Sequence, residues 1–174
     1  LEELRSVAHD PGRLLTKANR AFSAVLRQPH EAIFASALYV LVDVENDALT
    51  GANAGHPPPL HLSADGATAA PIRFEGRAFG PALGIDDESC YETSRWSLAA
   101  GDRLLLFTDG LIELTDQKAE EYGTAHLLQA ARAHAQESLE QLVRSVILDA
   151  VGFSAREEPE DDICLVGVQA GGVP

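Results

Sequence analysis

The sequence predicts an α+β fold built on antiparallel strands, and three observations carry that prediction. A strand-like run at residues 33–44 reaches an Asn46-Asp47 turn and a second strand-like run at 48–54, the pattern of a β-hairpin. Helix-like stretches gather towards the two ends of the chain, at residues 1–27 and 122–151, and do not alternate with strands as a parallel βαβ sheet would require. The apolar runs between them are short and bounded by Gly, Asn, Asp and Pro. With 174 residues and 45% apolar content, the chain is one domain's worth and has enough apolar mass for a core.

Each element has its own signature. Residues 1–27 read as helix because Leu14, Leu15, Ala18, Ala21, Phe22 and Val25 recur at three- and four-residue spacing. Asp10-Pro11 is a good helix start within that stretch, and Pro29 ends it. The hairpin follows, then the stiff segment Gly55-His56-Pro57-Pro58-Pro59, a short strand Leu60-His61-Leu62 and a turn at Ala64-Asp65-Gly66. Residues 67–85 are rich in Gly, Ala and Pro and read as a surface loop. Residues 91–98 alternate as a strand does, and Gly101-Asp102 turns the chain into the buried-strand run Leu104-Leu105-Leu106-Phe107. Two helices are expected at 122–135 and 138–151, the second with Leu139, Leu142, Val143, Val146 and Ile147 on one face. A charged loop at 155–160 precedes a last strand at 163–168. No internal repeat or second domain is visible, so the domain spans 1–170 and 171–174 is a tail.

Charge and composition exclude some functions. The formal net charge is −14, which repels nucleic acid and anionic membrane surfaces and suits a protein that binds cations. The longest apolar run, 33–44, is interrupted by Ser36 and Asp43 and falls short of a membrane span. Of the two cysteines, Cys164 lies in the last apolar run and reads as a reduced core residue of a cytoplasmic protein; no C-x-x-C zinc motif is present. The chain opens at Leu1 and contains no Met, so it reads as a piece cut from something longer.

The chemistry concentrates at two places. The Leu104 strand ends abruptly on Asp109-Gly110, and Asp161-Asp162 opens the final apolar run. Carboxylates at the tips of two neighbouring core strands repel unless a cation lies between them, which points to a divalent metal site. Taken singly, Asp109-Gly110 is equally a helix cap with a relaxed turn, and Asp161-Asp162 beside Glu157, Glu158 and Glu160 is equally a solvated acidic loop. An aspartyl nucleophile of the haloacid-dehalogenase type wants a second Asp two residues on, where Leu111 stands. His56, at the root of three prolines, is either a fold requirement or a metal or phosphate contact.

Order and spacing decide among these readings. Phe34-x-Ser-Ala-Leu-Tyr39, Asn53-Ala-Gly-His-Pro-Pro-Pro-Leu60, Gly80-Pro-Ala-Leu-Gly84, the run Gly101 to Glu113, Tyr122-Gly123 and Asp161-Asp162 together resemble the SpoIIE/RsbU-type serine phosphatases, a bacterial branch of the metal-dependent PPM superfamily. The resemblance spans nearly the whole chain. It implies an α-β-β-α layered sandwich with two Mn²⁺ or Mg²⁺ ions at one edge, whose bridging water attacks phosphoserine or phosphothreonine directly. By position it implies that Asp109 and Asp161 are metal ligands and the catalytic pair. Gly110, Asp162 and His56 are then candidates for supporting the ligands or touching substrate. His56 stands where eukaryotic relatives carry a further Asp, which argues against a third metal there.

The resemblance also implies partners. These are a phosphorylated STAS-type anti-sigma-factor antagonist as substrate and an upstream sensor or receiver domain, with no nucleic acid and no membrane contact. One departure stands out. The family's Asp-bearing first hairpin and its Asp-Val-Ser-Gly-His-Gly-like motif have no match, and Val42-Asp43-Val44 lacks the glycine that would follow. Either the domain is amino-terminally truncated or it lacks half its metal site. If the missing ligands are replaced from within these residues, Glu113, Glu160 and His56 are the candidate substitutes; the rival reading is a non-catalytic partner-binding module of the same fold.

Overall fold

The computed structural model describes residues 5–26, 33–74, 80–155, 159 and 161–171. The chain divides into two units, residues 1–56 with 73–98 and residues 57–72 with 99–174.

In the first unit, helix α1 (Pro11–Leu26) lies against an antiparallel sheet of order β1-β2-β5, formed by Ala37–Asp43, Ala48–Ala54 and Ser94–Ser97. The helix starts where Asp10-Pro11 predicts. The Asp10 carboxylate accepts from the Arg13 N–H at 3.2 Å and from the Thr93 hydroxyl at 2.6 Å. The Thr93 bond in particular lowers the Asp10 pKa. Residues 6–9 form turns rather than a continuous helix, and residues 1–4, Arg27 and Pro29 lie outside the described residues. The apolar face of α1 meets small β2 residues, so Leu15, Ala52, Ala54, Leu83 and Tyr91 form one core.

The hairpin register pairs Ala37 with Ala54 and Asp43 with Ala48. At its tip the Asp43 carboxylate accepts from the Glu45 and Asn46 backbone N–H groups and, at 2.9 Å, from the Asn46 amide. The Asn46 bonds lower its pKa, and Asp43 is thereby a turn residue. Residues 33–36, expected as strand, are not part of it. Their one ladder contact is Ala35 with Leu83, because β1 has no partner to extend along there. The strand expected at 91–98 shortens to Ser94–Ser97. The Tyr91 N–H bonds the Thr16 hydroxyl and the Thr93 hydroxyl accepts from Gly12, which commits both residues to α1.

In the second unit, β3 (Leu60–Leu62), β4 (Ala69–Pro71), β6 (Arg103–Phe107) and β7 (Leu165–Gln169) form an antiparallel sheet of order β4-β3-β6-β7. Helices α2 (Gly123–Ala133) and α3 (Leu139–Phe153) pack together and against this sheet, as the apolar stripe of residues 139–147 predicts. Leu105, Phe107, Leu111, Leu127, Leu142 and Val146 are the centre of its core. Gly167 lets α3 come close to β7, since a Cβ there would sit 2.8 Å from Leu139 and Val143. Buried Asp102 braces the β3 and β6 ends by accepting from the Ala64 and Ala99 N–H groups at 3.0 Å, with His61 Nε2 at 2.8 Å.

Two further expectations are corrected. Residues 67–85 are not simply a surface loop: they contain β4, and Ala69, Ile72, Phe74 and Leu83 are buried. Residues 75–79 within that span lie outside the described residues, as do 156–158 and Glu160 in the acidic loop and 172–174 in the tail. Cys164 is exposed, not a core residue, and so is Cys90; both are free thiols. The Cys164 N–H bonds the Thr108 hydroxyl in place of a strand carbonyl, and β7 starts one residue later, at Leu165. Among the described residues, no helix is long and apolar enough to cross a membrane.

Candidate metal centre and phosphatase site

The site is set by the pairing of two core strands. β6 runs antiparallel to β7 with Phe107 opposite Leu165, so the carboxyl end of β6 and the amino end of β7 share one sheet edge. Just past Phe107, Thr108 enters a single 3₁₀ turn, Asp109–Leu111, anchored by fully buried Leu111. The turn points the Asp109 side chain to solvent, while its carbonyl accepts from Ile112 and Glu113 at 2.8 and 3.0 Å.

Thr108 fastens this turn to the Asp161-Asp162 segment. Its hydroxyl donates to the Asp162 carbonyl and accepts from the Cys164 N–H, each at 2.9 Å, and its own N–H donates to the Cys164 carbonyl at 3.1 Å. Gly110 makes the approach possible. A Cβ on it would lie 2.7 Å from the Asp162 carbonyl oxygen and 3.3 Å from the Asp161 carbonyl carbon, closer than backbone tolerates. Asp109, Gly110, Asp161 and Asp162 are thereby brought to one place, with all three aspartates exposed. The Asp161 carboxylate accepts from the Asp162 N–H at 2.8 Å.

His56 belongs to the first unit. Its N–H donates to Asn53 Oδ1 at 2.8 Å, its carbonyl accepts from Asn53 Nδ2 at 2.7 Å, and its Nδ1 lies 3.1 Å from the Ser36 hydroxyl. Buried Asn53 thus clamps the His56 backbone at the mouth of the proline run. Glu113 is exposed beside the 3₁₀ turn.

The donor set matches a hard divalent cation in kind, since carboxylate oxygens are what Mg²⁺ and Mn²⁺ take. It falls short in number. Among the described residues no group of three or more His, Cys, Asp and Glu side chains is placed to hold an ion. Two carboxylates fill only part of one octahedral shell, so these residues alone do not make a two-ion centre.

The sequence marks the aspartates and His56 but not the two residues that hold their backbones, Thr108 beside Asp109 and Asn53 at His56. Thr108 was visible only as the residue before Asp109; its place at the end of a buried strand, where a β-branched hydroxyl can reach the neighbouring strand's backbone, was the available signal. Asn53 was visible only as part of a motif.

The family model of stage II sporulation protein E matches residues 1–170. The chain belongs to the SpoIIE family. It is 24% identical over 139 residues to Protein IcfG of Synechocystis, covering 79% of this chain and 21% of that protein. It is 22% identical over 157 residues to the phosphoserine phosphatase RsbP of Bacillus subtilis, covering 90% of this chain and 36% of that protein. The chain therefore spans between a fifth and two fifths of the length of these relatives. Among solved structures, the RsbU and RsbW domains of a Mycobacterium tuberculosis protein superpose with a TM-score of 0.75 at 23% identity, covering 97% of this chain and 46% of that one. This likeness shows the fold: the α+β architecture is that of the PPM phosphatases. Two more distant neighbours, with TM-scores of 0.66 and 0.56, are the Mn-presoaked SpoIIE phosphatase domain of Bacillus subtilis and RsbX in complex with magnesium. The chain is thus a SpoIIE-family domain with the fold of these phosphatase-domain structures.

Proposed function

We propose that this domain hydrolyses phosphoserine or phosphothreonine on a regulatory protein of the STAS-type anti-sigma-factor antagonist class, within a chain that also carries a sensor or receiver domain. The observation that carries the reading is the β6–β7 edge, where Thr108 and Gly110 hold the Asp109 turn against the Asp161-Asp162 backbone. Asp109 and Asp161 are the residues proposed to hold Mn²⁺ or Mg²⁺, with Asp162, Gly110 and His56 supporting them or touching the phosphoprotein. Such an ion, when bound, supplies Lewis-acid stabilisation of the phosphoryl oxygens and lowers the pKa of a bound water. The chain's own contribution is to keep two carboxylates exposed on a fixed edge, so that less ordering is left for the moment of binding.

The short donor set favours a second reading, a non-catalytic module of the same fold that binds the partner without turnover. Hydrolysis of p-nitrophenyl phosphate by the full-length protein and by this chain, with and without Mn²⁺, separates the two. The phosphatase reading expects Mn²⁺-dependent turnover in the full-length protein that falls about 100-fold or more in Asp109→Asn and Asp161→Asn with circular dichroism unchanged. No turnover in the full-length protein sinks it, and unchanged turnover in either variant removes that aspartate. Calorimetric titration of the 174-residue chain with Mn²⁺ is expected to give one weak site or none; two tight sites would overturn the shortfall of ligands.

A further inference from the structure

A groove of about 430 Å³ lies between α2 and α3 in the second unit, built from residues the phosphatase reading does not use. Its walls and floor include Tyr122, His126, Leu148, Asp149, Gly152 and Phe153. We propose that this groove docks a partner polypeptide that lays an apolar side chain on its aromatic floor and brings an arginine to Asp149.

Four observations converge on that occupant. The floor is apolar and preformed: the Tyr122 ring stacks on His126 with centroids 5.5 Å apart and meets the Phe153 ring edge-on at 5.4 Å. Leu148, on the same stretch of α3, is 64% exposed, so the floor continues into an unpartnered apolar side chain.

The groove is also open by sequence choice. Gly152 sits inside α3, where a Cβ would meet nothing within 4 Å and where no positive φ calls for glycine. Glycine is a poor helix residue, and its effect here is to leave the space beside Leu148 and Asp149 vacant.

The one charged group the groove presents is a carboxylate, Asp149, and the exposed Gln129 amide beside it can donate or accept. Asp149 forms no ion pair among the described residues. His126 Nδ1 lies 2.6 Å from the Tyr122 carbonyl oxygen, which cannot donate, so Nδ1 carries a proton and is occupied within the fold, leaving Nε2 to face a ligand. A guanidinium, planar and with five N–H donors, matches a carboxylate beside an imidazole and stacks on aromatic rings.

Finally, the Tyr122 hydroxyl is fully buried beneath the groove and finds no hydrogen-bond partner among the described residues. It lies where the Asp149 carboxylate acts on it. A buried polar atom that nothing inside the fold satisfies is rare in a finished protein and calls for an explanation, of which an outside group at this groove is one and an internal water another. Charge selects the partner's sign. At −14 overall the chain repels a second copy of itself and attracts a basic segment.

The test is an amide ¹H–¹⁵N titration of the chain with N-acetyl-leucyl-arginine amide, beside N-acetyl-leucyl-glutamate amide as the charge-reversed probe. Saturable shifts centred on residues 122, 126, 149 and 152 are expected with the arginine probe and none with the glutamate probe. Gly152→Leu, which fills the groove at an open position, should abolish the shifts without lowering the melting temperature, and Asp149→Asn should weaken binding at least ten-fold. Absence of saturable shifts, an equal response to both probes, or full binding by Gly152→Leu would overturn the proposal. Loss in Gly152→Leu with Asp149→Asn unaffected would make the groove a purely apolar site and would also overturn it. So would concentration-dependent dimerisation by light scattering that Gly152→Leu abolishes, since the occupant would then be a second copy.

Discussion

The hydroxyl of Thr108 donates to the backbone carbonyl of Asp162 at 2.9 Å, tying the turn that bears Asp109 to the segment that bears Asp161. The same oxygen accepts from the Cys164 N–H at 2.9 Å, so one side chain stitches the strand ends in both directions. Thr108→Val keeps the shape and removes both bonds. The expected cost is about 1–2 kcal/mol in urea unfolding, with a fall in Mn²⁺-dependent turnover of the full-length protein. Thr108→Ser retains the hydroxyl and should retain most of both. A loss in Thr108→Ser with none in Thr108→Val would show that the methyl, not the hydroxyl, matters.

Gly110 is the second fastening and is expected to be less forgiving. Any Cβ meets the Asp162 and Asp161 backbone at 2.7–3.3 Å, and backbone atoms cannot rotate aside as a side-chain tip could. Gly110→Ala should destabilise by about 1–3 kcal/mol and pull the aspartate segments apart, lowering turnover more than ten-fold. Gly152→Ala is the matched control. Its Cβ enters open space within a helix, so stability there should rise by up to about 1 kcal/mol. Thermal melts of the pair read the contrast directly.

These two residues show what could and could not be read from the sequence. The hairpin of residues 37–54 was legible because alternation and the Asn46-Asp47 turn both act locally. The Asp109 edge was legible because four apolar residues end on Asp-Gly. β4 was hidden, since Ala69-Ala70-Pro71 is short and carries no period; it exists because β3 supplies the ladder on one side. The place of Cys164 was hidden because the apolar run 163–168 reads as strand throughout, whereas the Cys164 N–H bonds the Thr108 hydroxyl and β7 starts only at Leu165. The α2–α3 groove leaves almost no sequence mark beyond a glycine in a helix, because it depends on what two helices leave unfilled.

Asn19 is a further case of a polar residue set by its tertiary surroundings. It lies on α1, wholly buried, with Nδ2 donating to the Asp86 carbonyl at 2.7 Å and Oδ1 accepting from the Gly84 N–H at 2.8 Å. It thereby docks the loop after Leu83 onto the helix. Asn19→Asp loses the donor and faces a carboxylate with a carbonyl oxygen. Asn19→Leu leaves both loop groups unsatisfied. Each should cost about 2–4 kcal/mol by chemical denaturation, well above a typical surface change. A loss under 0.5 kcal/mol in both would mean that water replaces the amide at no cost.

Tyr122 gives a pH-dependent test of burial. Its phenol is pushed from 10.0 up to about 12 by desolvation first and by the Asp149 carboxylate second. The folded state therefore holds this proton more tightly than the unfolded chain does. Below pH 10 both states are protonated and the contribution is fully present. Between pH 10 and 12 the unfolded chain ionises first, and stability falls by on the order of 2 kcal/mol. Tyr122→Phe has no proton to lose, so its unfolding free energy should decline less over that window. Some slope remains, because burial also raises the Tyr91 pKa. At neutral pH the same variant removes a buried hydroxyl that has no partner, and stability should hold or rise by up to about 1 kcal/mol. Urea unfolding at pH 7, 10 and 11.5 measures both effects. A Tyr122→Phe protein less stable at pH 7 would mean that the hydroxyl has a partner in solution, and the unsatisfied group beneath the α2–α3 groove would cease to count towards an outside ligand.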